Sequence, residues 1–398
     1  MSEYALIANP GTRRARLFEE ALRAEVPGAI LTVIPWIDVV RERIDLVRAL
    51  PDACVLRIES AGQNLQVEEA LLTAGYEDCA AEARSELLAP NDVASRSLEH
   101  GRIHAPRQLF HGFVRALQRV ERALLARPDV RSMSTPAAIR ELFDKRVTSA
   151  LYERAQIPVP PRIDGIASVS ELVSEMRGRS ISSTFVKVAT SSSASCLAVV
   201  RQRAGRLTAI STVQTIGTAR YNSRRLSTYG GRAAARLVDF LLGEGSIIEH
   251  HVPKARLPVS GLRAGHNFDL RVLVVAGEPA FVVGRASPHP ITNLHLGGTR
   301  LDEATARSSV SDEAWDHAMK DAARAGRCHD ALHVGVDLAF VARGKGHVVL
   351  EANAFGDHLN GVSRDGLDPH RFELRAFARS VTSSDRAARS SSPSPNTR

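Results

Sequence analysis

Lysine is nearly absent. Of 52 Lys and Arg residues in the 398-residue chain, five are lysine, at positions 145, 187, 254, 320 and 345. An ammonium is a compact point charge and a guanidinium a flat fork. In a chain that uses arginine elsewhere, each lysine therefore raises the question of what only an ammonium does there. Cysteine is scarce too: Cys54, Cys79, Cys196 and Cys328 lie far apart and form no CxxC, which argues against a zinc site or a disulfide framework. Aromatic residues make up 5% of the chain and do not interleave with basic ones, which argues against a stacking surface for nucleic acid. No apolar run of about 18 residues or more occurs, so no membrane span is expected. The N-terminus, MSEYALIANP, has no basic region leading into an apolar run. No signal peptide is read, and the expected location is cytoplasmic.

The net charge of +8 is carried by scattered arginines without a block of like charge, so it reads as a solvated surface, and no nucleic-acid partner is expected. Apolar residues at 44% suffice for a sizeable core, and the length suggests two or three structural units. YALIAN (4–9), LTVIPWI (31–37) and CVLRI (54–58) read as strands alternating with helical patterns around residues 17–22 and 65–74, the signature of an α/β unit with a parallel sheet. This first unit is placed at 1–100, followed by a helical connector over 101–143. Asp164–Val213 reads as strand-rich, with TFVKVAT a clear strand, and 231–242 as a helix. SIIEHHV, DLRVLVVAG, PAFVVG, HVGVDLAFVA and HVVLEAN are further strands, with a helix over 312–326. The Ser/Arg/Pro-rich tail, 380–398, is expected to be disordered.

Several segments carry chemistry. In HVGVDLAFVARGKGHVVLEAN, two strands of a hairpin each deliver an acid, Asp337 and Glu351, and Asn353 shares a strand face with Glu351. Two carboxylates and an amide form an all-oxygen set suited to magnesium; the plain alternative is a surface acid beside a turn asparagine. Lys187 sits between valines on an apolar strand, where an ammonium must snorkel or meet a charge. TSSSASC (190–196) follows, a run of small hydroxyl residues including Ser192 and Ser193 whose backbone amides could approach phosphates. The other reading is a surface hairpin. Asp144-Lys145 precedes IPVPP, Glu249 ends an apolar strand, and Asn293 opens NLHLGG. Arg271 and Arg285 fall on two strands joined near Gly277, aimed at one anionic point. The histidines form no HxH or HExxH pattern.

Taken in chain order, DK, strand VK, small-residue loop, ExxV, DLR, NLHxGG and GVD…ExN resemble the ATP-grasp superfamily over roughly 140–378. The pattern is nearest to the branch of the ribosomal-protein glutamate ligases, with D-alanine–D-alanine ligase more distant. The resemblance implies an N-terminal α/β domain followed by a two-subdomain α+β ATP-grasp fold, with a small subdomain at 144–245 and a catalytic subdomain at 246–379. It implies ATP and Mg2+ as cofactors. Lys145 and Lys187 would contact phosphate, Glu249 adenine, and Asp337, Glu351 and Asn353 the metal; Arg271 would stand at the reacting phosphate. The implied activity is an ATP-dependent ligase that converts a carboxylate to an acyl phosphate for attack by an amine or similar nucleophile. A phosphotransferase, or a non-catalytic ATP-binding module, are the alternatives. The expected partner is a small-molecule or peptide carboxylate acceptor; a homodimer stays open. Two positions depart from the family pattern: Cys196 stands where glycine is common, and Leu296 where arginine is common. The arginine-rich segment 218–236 reads as a loop running into a helix start, near the mouth of the cleft where a lid would lie; its charge reads either as a solvated basic face or as a clamp for an anionic acceptor or the triphosphate, with Arg224 and Arg225 as contacts.

Overall fold

The computed structural model describes residues 2–82, 87–95, 99–191, 195–257, 265–342, 346–355, 359 and 361–390, with side chains to 382. Three sheets follow one another along the chain. The first is parallel, with β1 (Glu3–Ala8), β2 (Ile30–Pro35), β3 (Val55–Ile58) and β4 (Arg131–Ser132) in the order β2-β1-β3-β4. The helix Pro106–Ala126, expected within a connector, packs Phe113, Leu117 and Val120 into the same core as Trp36, Leu56 and Ile58. The approach is close enough to require glycine: a Cβ on Gly112 would lie 1.9 Å from the Leu71 carbonyl oxygen. The first unit thus includes the helical stretch and β4, well past residue 100.

The second sheet is antiparallel: β5 (Ser183–Val188), β6 (Leu197–Arg203), β7 (Arg206–Ile216), β8 (Ala219–Gly230) and β9 (Ser246–His250), in the order β8-β7-β6-β5-β9. Alternation sends Val186, Val188, Ala198 and Val200 into a core with Leu172, Leu237 and Leu241 from two helices. One of these, Val169–Gly178, interrupts the region read as strand-rich. Its start is signalled by Ser168, which accepts from the Glu171 amide, while Glu171 accepts from the Ala167 amide at 2.8 Å, a Ser-x-x-Glu cap in the sequence. Residues 218–236 are not a loop: they form β8, paired along β7, and then enter the helix Gly231–Gly243.

The third sheet holds β10 (Asn267–Val275), β11 (Glu278–Ser287), β12 (Thr299–Leu301), β13 (His333–Phe340) and β14 (His347–Asn353), in the antiparallel order β12-β11-β10-β13-β14. Phe268, Leu270 and Val272 of β10, with Val336 and Leu338 of β13, turn inward to the core that includes Trp315 and Ala318 from the helix Asp312–Arg327. The opposite face of β10 and β13 is left for Asp269, Arg271 and Asp337. The last helix, Pro369–Ser390, starts against the helix Arg13–Glu25 and continues past residue 380, into the segment expected to be disordered. No helix among the described residues is long and apolar enough to cross a membrane.

Candidate active site

Strand register assembles a charged row across the third sheet. Arg271 lies opposite Asp337, and Asp337 opposite Glu351; one step along, Asp269 lies opposite Arg285. Asp337, 4% exposed, accepts from Arg271 and is ion-paired with Arg285. Arg271 donates through Nε and, at 3.0 Å, through Nη2, while Arg285 Nη2 stands 3.2 Å away. Burial would push the Asp337 carboxyl up, but the two arginine charges override it and hold the group down to about 2. Asp269 is the second anchor. It accepts from Arg285 Nε at 2.7 Å, from Lys254 Nζ at 2.7 Å and from the Thr292 hydroxyl.

The second sheet supplies the facing wall. On β5 and β9 the residues alternate with the core set just described, so Phe185, Lys187 and Glu249 point away from the helices. Lys187 Nζ lies 2.7 Å from Glu249 Oε2. Burial alone would lower the Lys187 pKa, but the Glu249 carboxylate, with Glu351 beyond it, leaves it raised. Lys145 enters from the first turn of the helix Lys145–Arg154, which Asp144 caps by accepting from the Arg146 amide at 2.9 Å. The Lys145 amide reaches the Ala189 carbonyl at 3.0 Å, its Nζ donates to the Ser191 carbonyl, and Glu351 Oε2 is 3.9 Å away. Burial is the leading influence on Lys145 and lowers its pKa; Lys254 is lowered for the same reason.

These groups enclose a cleft of about 630 Å³, open to solvent, between the two sheets. Lys187, Glu249, Arg285, Asn293, Asp337 and Glu351 line it, with Phe185, Val252, Ile291 and Leu350 as apolar surface. Arg271 lies beneath, paired to Asp337, and Lys145 stands beside Glu351. Asn353 is absent from the lining; its amide donates to the Gly335 carbonyl at 3.3 Å, directly across the strand pair. Ser192 and Ser193 lie outside the described residues. Lys254, Asp269 and Thr292 were not anticipated as site residues. The signal for two of them was available: Lys254 is one of five lysines, and Asp269 precedes Arg271 by two, on the same strand face.

Local backbone explains the two departures from the family pattern differently. Cys196 has φ of 51°, the left-handed region that favours glycine, and its side chain is buried at 2% exposure. In NLHLGG, Asn293 caps a 3₁₀ turn over Leu294–Leu296. Gly297 takes φ of 80°, and a Cβ on Gly298 would meet the Asn293 carbonyl oxygen at 2.7 Å. The two glycines thus shape the loop that puts Asn293 at the cleft, whatever stands at Leu296.

No family model matches the chain, and no curated protein matches it. Solved structures do. The D-cycloserine synthetase DcsG superposes with a TM-score of 0.52 at 18% identity, covering 96% of this chain and 100% of that one. N5-carboxyaminoimidazole ribonucleotide synthetase purK, in its ADP complex, gives 0.54 at 11% identity over 94% of this chain and 76% of that one. D-alanyl-alanine synthetase A from Vibrio cholerae O1 gives 0.52 at 11% identity, over 96% and 98%. The ATP-grasp ligase PsnB gives 0.50 at 13% identity, over 95% and 98%. The fold is that of the ATP-grasp ligases, a mixed α/β chain with one parallel and two antiparallel sheets.

Proposed function

We propose that the protein is an ATP-dependent ligase that holds magnesium-bound ATP in the cleft between its second and third sheets and uses it to activate a carboxylate. One observation carries the reading. Lys187 from the second sheet, Arg271 and Arg285 from the third, Lys145 from a helix start and Lys254 from the connector between β9 and β10 converge at that cleft and are matched there by Glu249, Asp269, Asp337 and Glu351. Charges taken out of water are retained at a cost of several kcal/mol each unless paired. Five cations against four acids leave a positive surplus that a polyphosphate satisfies better than a lone cation. The apolar stretch at Phe185, Val252 and Ile291 offers a surface for a nucleobase beside Glu249.

The residues at Asp337 fit a magnesium ion. A carboxylate offers roughly four lone-pair sites, and at Asp337 the two guanidiniums and the Glu351 carboxyl share them, so the two acids meet at the one point where an all-oxygen ligand would sit. Glu351 stands against Asp337 across the strand pair, with Lys145 3.9 Å away and the charges of Lys187 and Arg285 beyond. Bound magnesium would supply charge neutralisation between phosphate oxygens. The chain's own residues do the rest: Lys145 and Lys187 hold phosphate, and Arg271 and Arg285, locked by Asp337 and Asp269, present fixed positive charge to the reacting end. Proximity and charge are then the main source of rate. The nearest branch proposed is that of the ribosomal-protein glutamate ligases, and the acceptor proposed is a small-molecule or peptide carboxylate.

Equilibrium binding of a non-hydrolysable ATP analogue with and without Mg2+, followed by ADP release against carboxylates paired with amines, tests the reading. Magnesium-dependent binding and acceptor-dependent ADP release are expected. Failure of nucleotide to bind in either condition overturns it, and a stable phosphorylated product that accumulates without an amine points to the phosphotransferase.

A further inference from the structure

A second cleft, of about 1230 Å³ and open to solvent, lies between the first unit and the loop that follows β5. It shares no lining residue with the nucleotide cleft. Lys145 joins the two: its ammonium donates to the carbonyl of Ser191, which lines the second cleft, and stands 3.9 Å from Glu351, which lines the first. The Lys145 ammonium thus reaches residues of both clefts.

The second cleft has a different chemistry. One side of it is aromatic, with Phe110 and Phe143 half-buried at its surface and Phe113 behind them, and the rest is polar, with Gln63, Asn64 and His104. Phe113 and Phe143 are set with ring centroids 5.0 Å apart, and Phe113 is backed by Trp36 at 5.7 Å, so the wall is a preformed aromatic array. Among the described residues the acid facing this wall is Glu68, and no carboxylate hydrogen bond or ion pair is made to it by them. Burial raises its pKa, with His100 a smaller opposing influence. Arg102 also lines the cleft but is 3.3 Å from Glu99, which offsets its charge. A concave aromatic surface with a single uncommitted charged group is the usual form of a small-molecule site.

We propose that this cleft holds the nucleophile of the ligase reaction, a primary amine with an apolar body of aromatic size. The aromatic wall takes the body, and Glu68 accepts hydrogen bonds from the ammonium. This rests on the ligase reading above. The amine nitrogen forms a bond to the acyl carbon while the carbon–oxygen bond to phosphate breaks. Of the ammonium's three protons, one stays on the amide, one leaves on hydrogen phosphate and one goes to water, so atoms and charge balance.

The test uses the full chain and phenethylamine as probe, with ethylamine (ammonium without the body) and 3-phenylpropionate (body without the ammonium) as controls. Binding is measured calorimetrically for the parent, Glu68→Gln and Phe110→Ala, and Mg-ATP binding is measured on the same samples to show that each variant is folded. Phenethylamine is expected to bind and both controls to fail. Loss of a hydrogen bond to a charged group is worth roughly tenfold or more, so Glu68→Gln should weaken the probe by at least that factor. Phe110→Ala should weaken it too, and Mg-ATP affinity should hold in both. Equal binding of ethylamine, preferred binding of 3-phenylpropionate, or indifference to Glu68→Gln overturns the proposal even if ATP binds and turns over. A probe that binds as expected in a protein that takes no ATP leaves the cleft assignment standing and sinks the ligase reading instead.

Discussion

Neutralising Asp337 and neutralising Glu351 should have different consequences, although both acids stand in one row of the third sheet. Asp337 is 4% exposed and is gripped by the buried guanidiniums of Arg271 and Arg285. Asp337→Asn removes the charge and turns an N–H₂ donor towards groups that are themselves donors. Removing one partner of a buried ion pair costs about 3–5 kcal/mol. Arg285 keeps Asp269 at 2.7 Å and the asparagine carbonyl still accepts one bond, which puts the cost at the lower end, about 3 kcal/mol. At about 2–4 °C per kcal/mol for units of this size, the melting temperature should fall by about 6–12 °C. Glu351 is different. Its side chain is 20% exposed and its nearest cation is 3.9 Å away, so Glu351→Gln should cost under about 1 kcal/mol.

Both variants should lose magnesium-dependent ADP release, since both carboxylates are proposed to hold the metal. The assay is thermal unfolding beside ADP release over a magnesium series. Asp337→Asn melting with the parent would refute the clamp seen in the structure. Glu351→Gln turning over like the parent would remove that acid from the metal site. The acid titration of Asp337 gives the same sign: its folded pKa is depressed, to about 2, so its contribution is present above the ordinary carboxylate pKa and is lost as pH falls through the folded value.

Lys187→Arg should weaken Mg-ATP binding by about tenfold or more, because the position is buried 2.7 Å from Glu249 and a planar fork does not replace a compact ammonium there; an affinity equal to the parent's in a calorimetric titration would defeat the argument. Arg224→Ala/Arg225→Ala, on the exposed edge strand β8 whose Asn222 accepts from the Cys196 amide, should raise the acceptor KM or lower ATP affinity at low ionic strength. The effect should fade near 1 M salt, where the screening length is about 3 Å. Unchanged kinetics at low salt would return these arginines to the solvated surface.

What the sequence made legible follows from period. The pleat alternates side chains, so an apolar strand bearing a charge announces a two-faced strand. That is why β5 with Lys187, β10 with Arg271, β13 with Asp337 and β14 with Glu351 were readable as carriers of the site. The paired strands of the third sheet were readable too, because Asp337 and Glu351 face one another across a short hairpin. Segments governed by tertiary pairing were not. β8 is polar and arginine-rich, with little to mark it as a strand; its form comes from pairing with β7 and from the Gly101–Ile103 segment bonded at its start. The helix Pro106–Ala126 has a helical pattern, but nothing local says that its apolar stripe completes the first core rather than linking two units.

The lysines show the same limit from the other side. Lys145 and Lys187 stand in ordered motifs that point to phosphate, whereas Lys254, in HVPKARLP, carries no motif. Yet Lys254 is as much a part of the cleft as Lys187, held by Asp269 and Thr292. Its scarcity was the better guide. This chain uses arginine both on exposed positions such as Arg203, Arg206, Arg224 and Arg225 and on buried ones such as Arg57, Arg271 and Arg285, so a lysine at the cleft stands out by residue type alone. Two of the lysines at the cleft are set against carboxylates: Lys187 against Glu249, and Lys254 against Asp269, both at 2.7 Å. The fourth lysine, Lys320, is exposed on the helix Asp312–Arg327, and Lys345 lies outside the described residues. The scarcity of lysine thus pointed to Lys254 where motif order was silent. The same reasoning makes the Lys187→Arg variant, rather than an alanine, the sharper probe of what the site is built to hold.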